Sequence, residues 1–260
     1  MNPVLVVPRG YCDLRVERLN DSLVDAYVEH GYSFIAVNTV VNCSTLGIGT
    51  SNRKKRKLGE CNSEKEEEKE CIPVPMNTNC NNSKLTVLSR LTVQISNFGQ
   101  IQKIVNSTNF KLYHIFAVEP LNDNIIQELV TSPYVDIITC NLTIKISPKD
   151  YRNAVARRIH FEVLYGPMLM NYNIRQDTIT LAHMLYIKGK SKNVIFSSGA
   201  VHKFDIRNPH DVMNSTILLG LSQKQSKQAI TQACHSVILK CYGRRLGRSA
   251  FNMIPMKNNC

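Results

Sequence analysis

Short runs of β-branched and aromatic residues alternate along this chain with segments of helical periodicity. No other feature restricts its fold as much. Strands interleaved with helices build βαβ units, whose parallel sheet must be covered by helices. Strands are expected at 11–14, 33–37, 85–95, 112–118, 135–140, 161–165 and 193–197. The run Ser33-Phe34-Ile35-Ala36-Val37 is nearly all apolar, as in a strand buried on both faces. Asn20 caps an expected helix at 20–28, and Gly31 stops it. Further helices are expected at 98–107, 121–131, 148–158, 177–187, 209–219 and 223–239. Pro148 sits in a favoured first turn, and Ser222 caps the last of these.

A closed barrel and an open doubly wound sheet both fit this order. No G-x-G-x-x-G follows the first strand, which disfavours a dinucleotide-binding domain. The expected fold is therefore an α/β, TIM-like barrel of seven or eight parallel strands with surrounding helices. One barrel domain is expected over residues 1–260, interrupted by a disordered insert at about 43–83, where the pattern collapses into Asn, Ser, Lys and Glu.

The formal net charge is +12, which favours a polyanionic partner, nucleic acid ahead of an anionic membrane. The opening stretch 1–8 is too short and too Pro-broken for a signal peptide, and no run approaches a spanning helix. A soluble, intracellular protein is expected. Nine Cys occur with no C-x-x-C pair, so reduced, unpaired thiols are expected rather than structural zinc. No cofactor is implied.

Several segments carry a family resemblance. They are Tyr11-Cys12-Asp13-Leu14, the run from His30 to Asn38, and Val87-Leu88-Ser89-Arg90-Leu91-Thr92. Near the end come the run from Asn193 to Ala200, then Ile206-Arg207-Asn208-Pro209-His210-Asp211-Val212, then Leu218-Leu219-Gly220-Leu221. In order and spacing these resemble the thirty-kilodalton TIM-barrel-like protein subunit of eukaryotic and archaeal ribonuclease P and RNase MRP, from about residue 9 to about residue 254 outside the insert. The resemblance implies a non-catalytic subunit of a ribonucleoprotein that removes 5′ leaders from precursor tRNA. It implies binding to the RNA subunit, a small α/β protein partner, two copies per particle, and residence in the nucleus and nucleolus.

The family's barrel also resembles that of PHP-type metal-dependent phosphoesterases, so a divergent phosphoesterase is the alternative reading. Those enzymes hold metals with an H-x-H near the first strand and a D-x-H near the last. Here the first position reads Tyr11-Cys12-Asp13 and the last Ala200-Val201-His202. Asp13 and His202 alone are too few for a metal clamp. Asp13 is expected to be a carboxylate bonded to backbone donors, and His202 a loop residue.

Phosphate contact needs Lys and Arg spread over one face. The candidates are Arg157 and Arg158 at a helix end, Lys188, Lys190 and Lys192 in a turn, and Lys203 and Arg207 after the last strand. Arg244, Arg245 and Arg248 join them, expected in a Gly-rich loop after the last helix. The three lysines read equally as a solvated turn, and Arg157 and Arg158 as a complement to a helix C-terminus, whereas Arg244, Arg245 and Arg248 lean toward RNA because Gly243 and Gly247 let backbone approach phosphate. Arg90 lies inside an apolar strand, where it either points to the barrel mouth or pairs with a carboxylate inside. The basic pentamer at 53–57 reads as a nuclear localisation signal or as half of a charge-balanced loop.

Overall fold

The computed structural model describes residues 8–43, 72–76, 78, 82–142 and 144–246. Seven parallel strands lie side by side in chain order. They are β1 (Tyr11–Val16), β2 (Tyr32–Asn42), β3 (Thr86–Ile95), β4 (Ile115–Pro120), β5 (Ile137–Thr139), β6 (His160–Leu164) and β7 (Val194–Ser197). The sheet closes on itself where Glu17 N donates to Ala200 O (2.9 Å) and Gly199 N to Arg15 O (2.9 Å). The expected TIM-like barrel is thus formed, and of the two expected strand counts the described residues give seven.

The helices are α1 (Asp21–Glu29), α2 (Gly99–Asn106), α3 (Ile126–Thr131), α4 (Pro148–Ala156), α5 (Gly166–Met170), α6 (Tyr172–Gly189), α7 (Pro209–Leu218), α8 (Gln223–Ala229) and α9 (Gln232–Leu246). Local chemistry sets their starts. Asn20 accepts from Leu23 N at α1, Ser147 accepts from Asp150 N at α4, and Ser222 forms a capping box with Gln225 at α8. Helix α5 lies outside the expected set. Its Gly166 lies so close to Ser198 that a Cβ would sit 2.2 Å from the Ser198 carbonyl oxygen.

Three expectations are corrected. Strand β2 runs to Asn42 rather than Val37, because the polar residues that end the apolar run face a polar barrel mouth. Asn38 there donates to Glu17 and accepts from Thr92 Oγ1 (2.5 Å). The single helix at 223–239 is two, broken at Ile230, whose carbonyl accepts from Cys12 N (3.0 Å). Helix α9 then continues through Gly243 to Leu246, so Arg244 and Arg245 are helical and not in a loop.

Much of the insert lies outside the described residues. Its last part does not hang free, however. Ile72 is buried in the core, its carbonyl accepts from Asn109 Nδ2 (2.8 Å), and the Pro73 carbonyl accepts from Tyr113 OH (3.0 Å). Cys12, Cys140, Cys234 and Cys241 are buried free thiols, and Cys43 is buried with them; Cys61, Cys71, Cys80 and Cys260 lie outside the described residues.

Inside the barrel, the lower half is apolar. Cys12, Leu14, Phe34, Leu88, Ile115, Ile137 and Ile195 converge there, and α9 closes the floor with Cys234, Val237, Ile238 and Cys241. This places one long helix across the N-terminal ends of the strands. Ile238→Ala should lower the free energy of unfolding by about 2–5 kcal/mol, because the cavity would lie beneath a closed barrel with little room to collapse. Urea titration of the variant against the parent chain measures it.

Candidate functional site: a sealed mouth and a basic floor

The C-terminal ends of the strands form the mouth, where parallel barrels carry their chemistry. Here the mouth is filled by an ion pair. Arg90 on β3 has no exposed surface, and its two terminal nitrogens bond both oxygens of Glu162 on β6, at 2.5 and 2.6 Å. The remaining guanidinium donors reach Thr92 Oγ1 (3.0 Å), the Leu14 carbonyl (2.8 Å) and Thr139 Oγ1 (3.2 Å). Ser197 and Thr139 donate to Glu162 in turn, and Arg15 stands 3.7 Å from it. Burial would raise the Glu162 carboxyl, but Arg90 outweighs it and holds the group down at about 2. Arg90 is therefore withdrawn from the set of surface RNA contacts: the internal pairing is realised, and no face of the side chain reaches a partner.

Asp13 behaves as its backbone-bonded reading expects. One oxygen accepts from Ser198 N (3.0 Å) and Arg15 N (3.2 Å), and the other from Tyr27 OH (2.8 Å). Burial raises its carboxyl above the ordinary value. His202 is exposed and begins a short 3-10 turn with Asp205. A cation at this mouth would meet the guanidinium groups of Arg15 and Arg90 and an Asp13 whose oxygens are already taken. Among the described residues, no three His, Cys, Asp or Glu side chains form a metal-ligating group. The residues present do not fit a di-metal centre.

The opposite end is basic. Arg157 and Arg158 at the α4–β6 turn are exposed, Arg158 in a left-handed conformation. Arg157 donates to the Thr131 carbonyl (2.6 Å). Lys188 ends α6, while Lys190 and Lys192 are exposed in the turn before β7. Lys240, absent from the sequence-based candidates, donates to the Val135 carbonyl (2.7 Å); burial and then the neighbouring charges of Arg244 and Arg157 lower its ammonium against the pull of Asp136. Its four-residue spacing from Arg244 on one helix face was the available signal. Arg244 is mostly buried, bonded to Asp136 (2.9 Å) and the His114 carbonyl (2.6 Å), and packed over the Phe110 ring. It anchors α9 to the barrel. Arg245 beside it is exposed, and Arg248 lies outside the described residues.

Lys203 and Arg207 are exposed on the segment between β7 and α7, away from these turns. That segment runs back along the barrel: Tyr32 OH donates to the Arg207 carbonyl (2.9 Å), and Tyr11 meets His210 edge to face. The fold thus gathers Arg157, Arg158, Lys188, Lys190, Lys192 and Arg245 at the floor and sets Lys203 and Arg207 beside the end of α1, with Arg207 at the start of β2.

Fold and site together define a seven-stranded α/β barrel with a sealed mouth and a basic floor. The family model described as RNase P subunit p30 matches residues 10–246, and the chain belongs to that family. It is 29% identical over 252 residues to the mouse "Ribonuclease P protein subunit p30", covering 95% of this chain and 87% of that one. It is 35% identical over 158 residues to "Protein GAMETOPHYTE DEFECTIVE 1" of Arabidopsis thaliana, where the match covers 58% of this chain but only 27% of the longer relative. Among solved structures, a chain of an archaeal ribonuclease P with mature tRNA superposes with a TM-score of 0.64 at 18% identity, over 96% of this chain and 99% of that one. That likeness concerns the fold.

Glu162→Gln leaves a buried guanidinium without its counter-charge and should cost about 3–5 kcal/mol at pH 7. The carboxyl is depressed in the folded state, so its stabilisation is complete above the unfolded value near 4.5 and is lost as pH falls through about 2. Asp13, raised by burial, acts with the opposite sign in both proteins. The stability gap between parent and variant, measured by urea unfolding at a series of pH values, should therefore close across that window.

Proposed function

We propose that this chain is a non-catalytic protein subunit of the ribonuclease P particle in the nucleus, binding and stabilising its RNA for 5′-leader removal from precursor tRNA. Family membership supports the particle. The basic floor is the observation that carries RNA binding: six cationic side chains from the α4–β6 turn, the α6–β7 turn and α9 stand at one end of the barrel. Phosphate neutralisation by such a surface releases counterions and drives association without reading sequence. Arg244 serves by fixing α9, not by touching RNA. Lys203 and Arg207 would contact RNA only where it extends past the floor toward the end of α1 and the start of β2. The RNA subunit then supplies the chemistry; the buried Arg90–Glu162 pair inside the barrel supports that reading. Service in RNase MRP, nucleolar residence, a small α/β partner on the helical side and two copies per particle follow from the resemblance and belong to the same proposal.

Joint charge reversal at Arg157, Lys192 and Arg245 should weaken binding to the ribonuclease P RNA and reduce the slope of log affinity against log salt by about 0.9 for each phosphate no longer neutralised. Reversal at Lys203 and Arg207 should change both far less. Filter binding at several salt concentrations measures affinity and slope together. Equal effects of the two sets would move the interface away from the floor.

A further inference from the structure

Beneath the sheet, between the α4–β6 turn, the α6–β7 turn and the α8–α9 corner, lies a cleft of about 540 Å³. Small-ligand sites span roughly 300–1,000 Å³. Among the described residues, no carboxylate lines it. Its charged groups are Lys192 and Lys224, and Gln228 and Gln232 add amides. Neither lysine is in a salt bridge with a described residue.

Two buried groups on the wall lack partners among the described residues: His160 Nδ1, on a residue 2% exposed, and Ser191 Oγ, on one 7% exposed. Leaving such atoms unpaired costs about 1–3 kcal/mol each, so they mark a place where a further group is expected. Burial, then the nearby Lys240 charge, lower the His160 imidazole to about 4, although a hydrogen bond to the Arg158 backbone opposes them. The ring is neutral at pH 7. A neutral imidazole offers one donor and one acceptor nitrogen, and Nδ1 is the one left without a partner among the described residues.

The turn that holds Ser191 is built against local preference. Lys190, Ser191 and Asn193 all have φ of 54–55°, a left-handed conformation that costs L-residues about 1–2 kcal/mol. Tyr151 holds it there. Its hydroxyl donates to the Lys192 carbonyl (2.6 Å), and its ring fills the space where Gly189 would carry a Cβ. Backbone strain of this kind concentrates at ligand sites.

A ligand matched to this wall is anionic toward Lys192 and Lys224, offers a hydrogen-bonding group to His160, and has polar edges for the amides. Inorganic phosphate meets only the first demand well. We propose that the cleft holds one unstacked ribonucleotide of the bound RNA, its phosphate on Lys192 and Lys224 and a 2′-hydroxyl or base N–H on His160 Nδ1. Unstacked nucleotides are what proteins read in RNA. The inference rests on the RNA-binding reading of the floor and adds a specific subsite to it.

The test places photoreactive benzoylphenylalanine at Gln228, or separately at Arg245, in the full chain assembled into ribonuclease P. Expected is an RNA crosslink from position 228 at one nucleotide. Adding Lys192→Ala and Lys224→Ala, both exposed, should lower its yield about tenfold while the crosslink from position 245 persists. If position 228 captures a protein subunit, or nothing, while 245 captures RNA, the cleft proposal is overturned and the floor reading stands. If neither position captures RNA, both fall. A second measurement titrates the isolated full chain with AMP, CMP, GMP and UMP against inorganic phosphate. His160 ring resonances should move with at least one nucleotide and not with phosphate; movement with phosphate alone, or with none, overturns the nucleotide assignment.

Discussion

A guanidinium with no exposed surface must find a carboxylate and partners for all its N–H groups, or the fold loses several kcal/mol. Arg90 finds Glu162, two threonine hydroxyls and the Leu14 carbonyl. These partners come from β1, β3, β5 and β6, so the pair ties non-adjacent staves across the barrel axis. Glu162 extends the web to Ser197 on β7, and Asn38 on β2 joins through Thr92. Replacing such a pair with apolar residues is often harmless to stability. Its consequence here is geometric, since it occupies the space that a barrel enzyme keeps for substrate.

With the mouth filled from within, exposed cations gather at the other end of the barrel. Helix α9 makes this possible. Its apolar face seals the floor, Arg244 pins it to Asp136, and Lys240 binds the Val135 carbonyl. The exposed Arg245, with the cationic turns before β6 and β7, then stands on a rigid base. Charge held on such a base has a fixed spacing, which suits a structured polyanion better than the same number of lysines on a tail.

Much of this was legible in the residues, and the parts that were not have physical causes. All seven strands announced themselves, because a strand buried on both faces is a continuous apolar run. Where a strand entered the polar mouth, as at Asn38 in β2, the signal failed. Arg90 was conspicuous as a charge in an apolar run, but its partner lies 72 residues away and nothing local points to Glu162. The break between α8 and α9 falls at Ile230, with no Gly or Pro to mark it, because a tertiary bond from Cys12 decides it. Gly243 suggested a loop, yet packing against the barrel keeps α9 helical through it. Of the floor, single clusters were visible; their convergence depends on barrel closure and is not local information.

The most direct test of the central claim is amide hydrogen exchange on the full chain with and without ribonuclease P RNA. Slower exchange on RNA addition is expected in the turns at 157–160 and 188–193 and at the end of α9, with no change at the mouth segments 15–18 and 119–123. Protection confined to the mouth, with the floor unchanged, would contradict the account and return the C-terminal end of the barrel to consideration as the working site.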